Sequence, residues 1–426
     1  MKNYSYYFFT LLVILLSAIY LPLFYEKIFF NRIERTHLFY SPVSRDFILK
    51  EKIVGPIPKA IKEKAEDHHT EIAYQNADGS YISRIEFEKH LPFIYYKNME
   101  LWGLLPIELN HQLFEAKNIK KNRRVMELTP REIHGRSPHT MVWPLLESNP
   151  GRVRLVFPED RFRMTPSSME FINADTLTVD PSLTTLFTQA LIKKGFTFPC
   201  RSVNGKFTVL KPFEGGIFLV DADNEVFHLK RINNQPWVIK APIDPGIGVR
   251  HIKISESRQK DYDGLILGKT GQVYLLSHDQ YRVIPLPLEK YIPDQMRLKL
   301  IFNPLYCTAI FSDEINIYGV AMDRNFNVIK RFSHTMSRSA ITPAHRVYQF
   351  LFPFSINLEK RNSGFLSFAM EIGHMPCVAG IMFCLFFYIG WSVLIQKRKF
   401  SVVKTALVGI TGIYGLLAIQ LSPLDD

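Results

Sequence analysis

Gly264, Gly268, Lys269 and Thr270, in the stretch GLILGKTGQVYLL (264–276), are residue types that can cradle a phosphate. A Walker loop needs the spacing G-x-x-x-x-G-K-[ST], and a helix straight after it whose N-terminal N–H groups face the anion. Only Leu265, Ile266 and Leu267 separate the two glycines, and GQVYLL has the composition of a strand. The stretch therefore reads as strand, turn, strand, with Lys269, Thr270 and Gly271 in the turn, and no nucleotide is expected.

Other chemistry-bearing residues are scattered. Asp67–Glu71 (DHHTE) holds adjacent histidines, which point to different faces of any regular element and cannot easily share a metal. His134 and His139 flank GRSP and could converge on a loop, without a known metal spacing. Glu371, His374 and Cys377 are spaced i, i+3, i+6 at the start of an apolar run, so a helix would bring the first two onto one face, most simply in the headgroup layer. Cys377 and Cys384 share a helix face as packing residues. Cys200 and Cys307 form one bridge in an oxidising compartment or stay two buried thiols. No Gly-x-Ser-x-Gly, HExxH or CxxC motif occurs, so no catalytic, cofactor-binding or metal-ligating residue is assigned and no cofactor is expected.

The basic side chains have more to say. The chain of 426 residues has a formal charge of +12, and seven bases fall between Lys117 and Arg136. Lys117, Lys120, Lys121, Arg123 and Arg124 are the candidate patch for an anionic lipid, polysaccharide or acidic partner. No aromatics are interleaved for base stacking, which argues against nucleic acid.

Three apolar runs must position all of this. Tyr6–Tyr25 carries no charge over 20 residues, Met375–Ile395 none over 21, and Thr405–Ser422 is a weaker 18. Each is about long enough to cross roughly 30 Å of hydrocarbon as a helix, and none has a polar face. No small-residue cleavage site follows the first run, so it reads as an uncleaved anchor. Lys397, Arg398, Lys399 and Lys404 between the second and third runs place that loop in the cytoplasm. The N-terminus is then inside, and the large middle region lies outside an inner membrane, in the periplasm. Lys27, Arg32 and Arg35 after the first run vote the other way, but long domains translocate largely regardless of charge. Gly409, Gly412 and Gly415 in the third run are candidate helix-packing positions, with Thr411 and Gly415 as a small-xxx-small step.

The middle region divides at about residue 148. Residues 26–148 mix types, with a turn at Asp78-Gly79 and then a helix turning Phe87, Leu91 and Phe93 inward. Residues 149–364 turn to short strands, among them GRVRLVF, RFRMT and SSMEFINADTLTVD, interrupted by one helix that starts at Pro181 and ends at Gly195. GIFLVDADNEVFHLKR from Gly216, the stretch from Gly264, and INIYGVAMDRNFNVIKR from Ile315 share one pattern: apolar strand, polar turn, second strand. A hairpin recurring every 45–50 residues is the mark of propeller blades, with a meandering β-sandwich as the alternative.

Four phrases carry a family resemblance: DGSYISRIEFEKHLPFIYY (78–96), NPGRVRLVFPEDRFRM (149–164), FLVDADNEVFHLKR (218–231) and NPLY (303–306). With one span before them and two after, the chain resembles an uncharacterised bacterial family of membrane-anchored proteins encoded beside ABC-type transporter ATPases. The resemblance implies an accessory subunit of an export system, and no functional residues. The expected architecture is an N-terminal anchor (1–25), a mixed α/β exported region (26–148), a propeller-like, mainly β exported region (149–364) and a transmembrane hairpin (365–426), with three transmembrane helices in all. The expected function is non-catalytic binding, as accessory or scaffold to a transporter subunit or envelope complex, with membrane lipid as the other partner. A ligand-binding envelope sensor and an envelope hydrolase are the alternatives.

Overall fold

The computed structural model describes residues 2–30, 36–54, 56–64, 71–359, 362–395 and 401–421. The chain forms two compact units: Thr36–Lys50 with Ala60–Thr335, and Met1–Arg35 with Glu51–Lys59 and Met336–Asp426. Arg32, Arg35, Asp67–Thr70, Lys397, Arg398 and Lys399 lie outside the described residues.

The first unit is mainly β. Ser202–Asn204, Ile217–Val220, Val226–Ile232 and Gln235–Lys240 make one four-stranded antiparallel meander, and Val249–Ile254, Tyr262–Gly268, Val273–Ser277 and Val283–Pro285 make a second. Arg297–Phe302, Cys307–Ser312, Asn316–Met322 and Val328–Thr335 make a third, extended to five strands by Arg124–Leu128. A three-stranded sheet, Asp160–Met164, Met169–Asn173 and Val179–Asp180, precedes the first meander. No sheet closes on itself among the described residues, so the structure is a series of open meanders.

Ile217–Val220 and the stretch 265–267 are apolar at every position, and the reason is where alternate side chains go. Ile217 and Leu219 pack with Phe162, Phe171 and Phe187, while Phe218 and Val220 pack with Ile252 and Ile266 of the second meander. Leu265 and Leu267 turn the other way, onto Leu298 and Leu300 of the third. Side chains alternate along a strand, so a sheet covered on both faces cannot spare a polar face. Each fully buried leucine or phenylalanine contributes about 1.5–3 kcal/mol.

The repeat is real, but one copy is one strand out of step with the sequence reading. The second strands of the three meanders start at Ile217, Tyr262 and Cys307, an even spacing of 45 residues. The hairpin from Ile315 is the last pair of its meander, whereas the hairpin from Gly216 is the middle pair. GRVRLVF forms no strand, and Val153 within it is fully exposed. The opening stretch is a hairpin: Lys269 and Thr270 are exposed, and the Gly271 N–H donates back to the Gly268 carbonyl at 3.1 Å. Gly264 serves packing, because a Cβ there would run into the backbone of Lys253 in the neighbouring strand. The expected helix is Pro181–Lys193, with Asp180 accepting from Ser182 and Leu183 N–H and Gly195 in the left-handed region beyond it. Arg84–His90 carries a Ser83–Glu86 capping box and buries Phe87, with Leu91 and Phe93 buried just after.

The second unit holds the apolar helices. Two are long and apolar enough to cross a membrane, Tyr6–Phe29 and Pro376–Val393. The third run is not one helix. Gly412 takes φ +57° and divides it into Val402–Thr411 and Ile413–Leu421, of ten and nine residues, each too short to span. The expectation of three transmembrane helices is therefore corrected: two helices among the described residues are long and apolar enough to span. Ile413–Leu421 packs Tyr414 and Ala418 against Ile14 and Ala18 of the N-terminal helix, and Val408 packs with Cys384 and Tyr388. Gly409 touches Leu385, and Gly412 faces Pro353 and Ile381, but a side chain at Gly415 would meet its own preceding turn at Thr411. A close backbone approach falls at Gly380, where the Phe350 carbonyl leaves no room for a Cβ. Glu371 lies on the strand Leu366–Ile372 and His374 in the following loop, so they share no helix face with Cys377.

Two substitutions separate core from turn. Leu219→Ala should lower stability by about 2–5 kcal/mol, while Lys269→Ala should stay within about 0.5 kcal/mol. Urea unfolding of the purified protein measures both; similar costs at the two positions would contradict two-sided burial of the first meander.

Candidate functional site

The site with the most convergent polar chemistry is an open cleft of about 460 Å³ in the β-rich unit, lined by Tyr40, Arg45, Asn110, His111, Tyr306 and Lys330, with Ile329 beside them. Four distant segments build it, three of them through a local backbone device. His37–Tyr40 and Phe47–Lys52 form a hairpin whose connection is pinned by Ser41, which accepts from the N–H groups of Val43 and Ser44. Within that connection Arg45 takes φ +53°. Ile107–Leu109 and Gln112–Phe114 form a second hairpin, with Leu109 opposite Gln112. Its two-residue turn is Asn110-His111, both at positive φ (50° and 60°), as the tight turns that suit strand twist require. The third device is a register shift between Asn316–Met322 and Val328–Thr335, where Ala321 pairs with Lys330 and Met322 with Val328. That leaves Ile329 as the extra residue of a β-bulge, a device that re-aims side chains. Left-handed non-glycine residues cost free energy and gather at sites where a side chain must be held in place.

Hydrogen bonds tie the cleft together. Arg45 Nη2 donates to Asn110 Oδ1 at 2.8 Å, and Asn110 Nδ2 donates to the Tyr306 hydroxyl at 3.1 Å. Tyr40 meets Tyr306 edge-on at 5.2 Å, and Lys330 pairs with Asp46 at 2.6 Å. Burial, with Tyr306 and Asp46 adjacent, pushes the Tyr40 hydroxyl above its usual range, so it stays a neutral donor. A guanidinium offers five N–H donors, and the Asn110 bond takes one of them. The arrangement suits a carboxylate or another small anionic group held between a guanidinium, an ammonium and two tyrosine hydroxyls.

A second polar group is sealed in the seam between the first two meanders. Lys211 Nζ donates to Glu214 Oε2 at 2.7 Å, to Glu256 Oε1 at 2.8 Å and to the Lys206 carbonyl at 2.9 Å, so all three ammonium protons are used. The Lys211 side chain is 1% exposed and the two carboxylates 3% each. Gly215 and Gly216 N–H donate to Glu256 and Glu214. One ammonium against two buried carboxylates favours holding an extra proton, and burial raises the Glu214 carboxyl to about 7. His228 Nε2 donates to the Gly215 carbonyl at 2.7 Å, so its Nδ1 accepts from the Tyr281 hydroxyl at 2.8 Å. Burial and nearby Lys230 lower His228 to about 3, and burial and nearby Lys253 contribute to lowering His251 to about 4. Asn204 adds a direct tie, accepting from Ile252 N–H across the seam at 3.0 Å. This cluster binds element to element.

The sequence-derived patch is only partly a surface. Lys117, Lys120 and Lys121 are exposed on the helix Ala116–Asn122, and exposed Arg123 lies 5.3 Å from the Tyr96 ring. Arg124 does not belong with them. It is 7% exposed, Nη2 donates to the Ser255 and Tyr262 carbonyls at 2.7 Å, and burial lowers its pKa to about 10. Alternation explains the split: Arg124 opens a strand of pattern buried, exposed, buried, so its neighbour's exposure predicts its burial. Cys200 and Cys307 are free thiols packed in different cores. Among the described residues no group of three or more His, Cys, Asp or Glu side chains could hold a metal.

A family model matches residues 37–322, from the first strand of the Tyr40 hairpin to the end of Asn316–Met322. The chain belongs to the family described as Domain of unknown function (DUF4857). No curated protein matches it. Among solved structures, one of S. cerevisiae Dbp5 bound to Nup159, Gle1, IP6 and ADP is similar over 51% of this chain and 65% of that chain, at 9% identity and a TM-score of 0.23. Similarity at that level carries no argument about fold or function.

The seam makes stability depend on pH with two opposed signs. His228 and His251 have depressed folded values, so the unfolded chain binds more protons, and their contribution is lost as pH falls through about 6.5 toward 3–4. Glu214 is raised, so the folded chain binds the extra proton, and its contribution is lost as pH rises from about 4.5 to 7. Glu214→Gln should therefore gain on wild type as pH climbs through that window, then run parallel to it above pH 7. Thermal unfolding in detergent from pH 4.5 to 8 measures the gap; a gap independent of pH would show that Glu214 ionises in the fold as it does in water.

Proposed function

We propose that this is a non-catalytic, membrane-anchored binding protein whose β-rich unit docks an acidic segment of a partner in the cleft of Tyr40, Arg45, Asn110, His111, Tyr306 and Lys330. The observation that carries this reading is the convergence of three left-handed residues and a β-bulge on one open, basic, tyrosine-lined surface. Small-molecule sites are usually enclosed and mostly apolar, whereas arginine and tyrosine anchor protein interfaces. The partner class, a subunit of an ABC-type transport or envelope complex, comes from the resemblance of the sequence phrases. The 45-residue period of the meanders supports a propeller-like array as the rigid platform.

The anchor reading rests on the two apolar helices, Tyr6–Phe29 and Pro376–Val393. Two spans are enough for the orientation with the N-terminus inside, the β-rich unit periplasmic and the basic loop at Lys397–Lys399 cytoplasmic. Val402–Leu421 then lies beyond the second span as two short apolar helices against the first and second.

The docking reading is tested by recovering the complex in mild detergent and identifying the bound membrane protein by mass spectrometry. Arg45→Ala with Lys330→Ala should cut recovery about tenfold or more, since truncating an interface anchor costs about 2 kcal/mol. Replacing Lys117, Lys120 and Lys121 together by alanine should leave recovery unchanged. The reverse pattern would move the interface to the exposed basic helix.

Orientation has its own test. Single cysteines at exposed Lys269 and at Ser401, in a background lacking the native cysteines, are treated with an impermeant thiol reagent on intact cells. Lys269→Cys should label and Ser401→Cys should not; the opposite result inverts the topology.

A further inference from the structure

The hairpin Phe354–Glu359 with Leu366–Ile372 is a two-stranded sheet directly before the helix Pro376–Gly390. Alternation along its second strand is the reverse of what water would select. Leu366, Phe368, Met370 and Ile372 are 81%, 80%, 62% and 80% exposed on one face. Ser367, Ala369 and Glu371 occupy the other. Met370 lies opposite Ile356 and Ile372 opposite Phe354, and directly paired residues share a face. Phe354 and Ile356 pack with Tyr414 and Ile14, so the exposed residues continue the apolar face that holds the helices together.

That surface also runs on into the second apolar helix. Met375, Val378, Phe383 and Phe386 are 86%, 55%, 61% and 67% exposed. Exposed apolar side chains thus recur from Leu366 to Phe386, first on a strand and then on a helix read as membrane-spanning. Lipid is the occupant that can meet both parts. Depth is limited by the backbone: a two-stranded sheet has edge N–H and C=O groups with no ladder partner, and hydrocarbon cannot satisfy them. The headgroup–acyl boundary can.

We infer that the paired strands Phe354–Glu359 and Leu366–Ile372 are a membrane-interface element, with Leu366, Phe368, Met370 and Ile372 set among phospholipid acyl chains at the start of the second span. The inference rests on the membrane reading of Pro376–Val393, and the experiment separates the two. Photoreactive p-benzoylphenylalanine replaces Phe368 in one full-length protein and Phe383 in another. Each is reconstituted in phosphatidylcholine–phosphatidylglycerol vesicles, irradiated and weighed intact. Both should gain the mass of one phospholipid. A lipid adduct at Phe383 with none at Phe368 overturns the interface assignment and leaves the anchor standing. A Phe368 cross-link to a second protein chain in place of lipid also overturns it, and assigns the face to self-association. Absence of lipid at both positions removes the membrane reading and this inference together.

Discussion

Burial on both faces of the first two meanders is the constraint from which the rest of the β-rich unit follows. A sheet covered on one side can alternate apolar and polar residues. A sheet covered on two sides cannot, and Ile217–Val220 is accordingly buried at all four positions. A polar group caught in a seam is then costly unless it finds a partner inside the protein, an unpaired one costing about 1–3 kcal/mol. Lys211 with its two carboxylates, Asn204 on Ile252, and His228 between Gly215 and Tyr281 are solutions to that one problem. They fix how one meander meets the next, which apolar contact alone specifies poorly.

The same constraint pushes recognition to the margins. Interiors that are filled from both sides leave no room for a ligand between meanders, so variable chemistry has to sit where strands end. The cleft draws on a hairpin connection, a two-residue turn, the loop at Tyr306 and a bulge near the start of the last strand. Each of these can change side chains without disturbing a seam. Tyr40 and Tyr306 are the exceptions, since both are buried as well as cleft-lining and couple the surface to the core.

How much of this was legible in the sequence depended on whether a signal was local. The helix at Pro181, the turn at Gly79 and the hairpin at Gly264 each carry their cause within a few residues, and the chain folds there as its local pattern requires. The meander period was visible too, but a four-stranded meander contains successive hairpins with the same apolar–turn–apolar pattern. Nothing in INIYGVAMDRNFNVIKR says which pair it is; only the pairing of Cys307–Ser312 with Asn316–Met322 does. Arg124 looked like one more base in a charged run because its burial depends on Ser255 and Tyr262, more than 130 residues along. The third apolar run failed for a different reason. Composition measures length and hydropathy, and both pass, whereas the break at Gly412 is a single backbone dihedral. The cleft was invisible to any local reading, since positions 40–45, 110–111, 306 and 330 meet only in the folded chain.

Glycine in the helical unit shows where a sequence pattern can mislead about purpose. Three glycines at three-residue spacing suggest a packing face, yet their roles diverge: Gly409 makes an ordinary contact, Gly412 supplies a conformation, and Gly415 makes room for its own chain at Thr411. Gly380, alone and without a motif, is a position where two segments touch backbone to backbone. In lipid, apolar burial no longer separates packed from unpacked helices, so close approach and directional contacts decide which pairs persist. The Phe350 carbonyl on Gly380 and the Tyr414 hydroxyl on the Phe354 carbonyl are contacts of those two kinds. Together they hold the segment around Pro353 against both the second apolar helix and the broken third run. That fixes the start of the strand Phe354–Glu359, and Leu366–Ile372 takes its place by pairing with it.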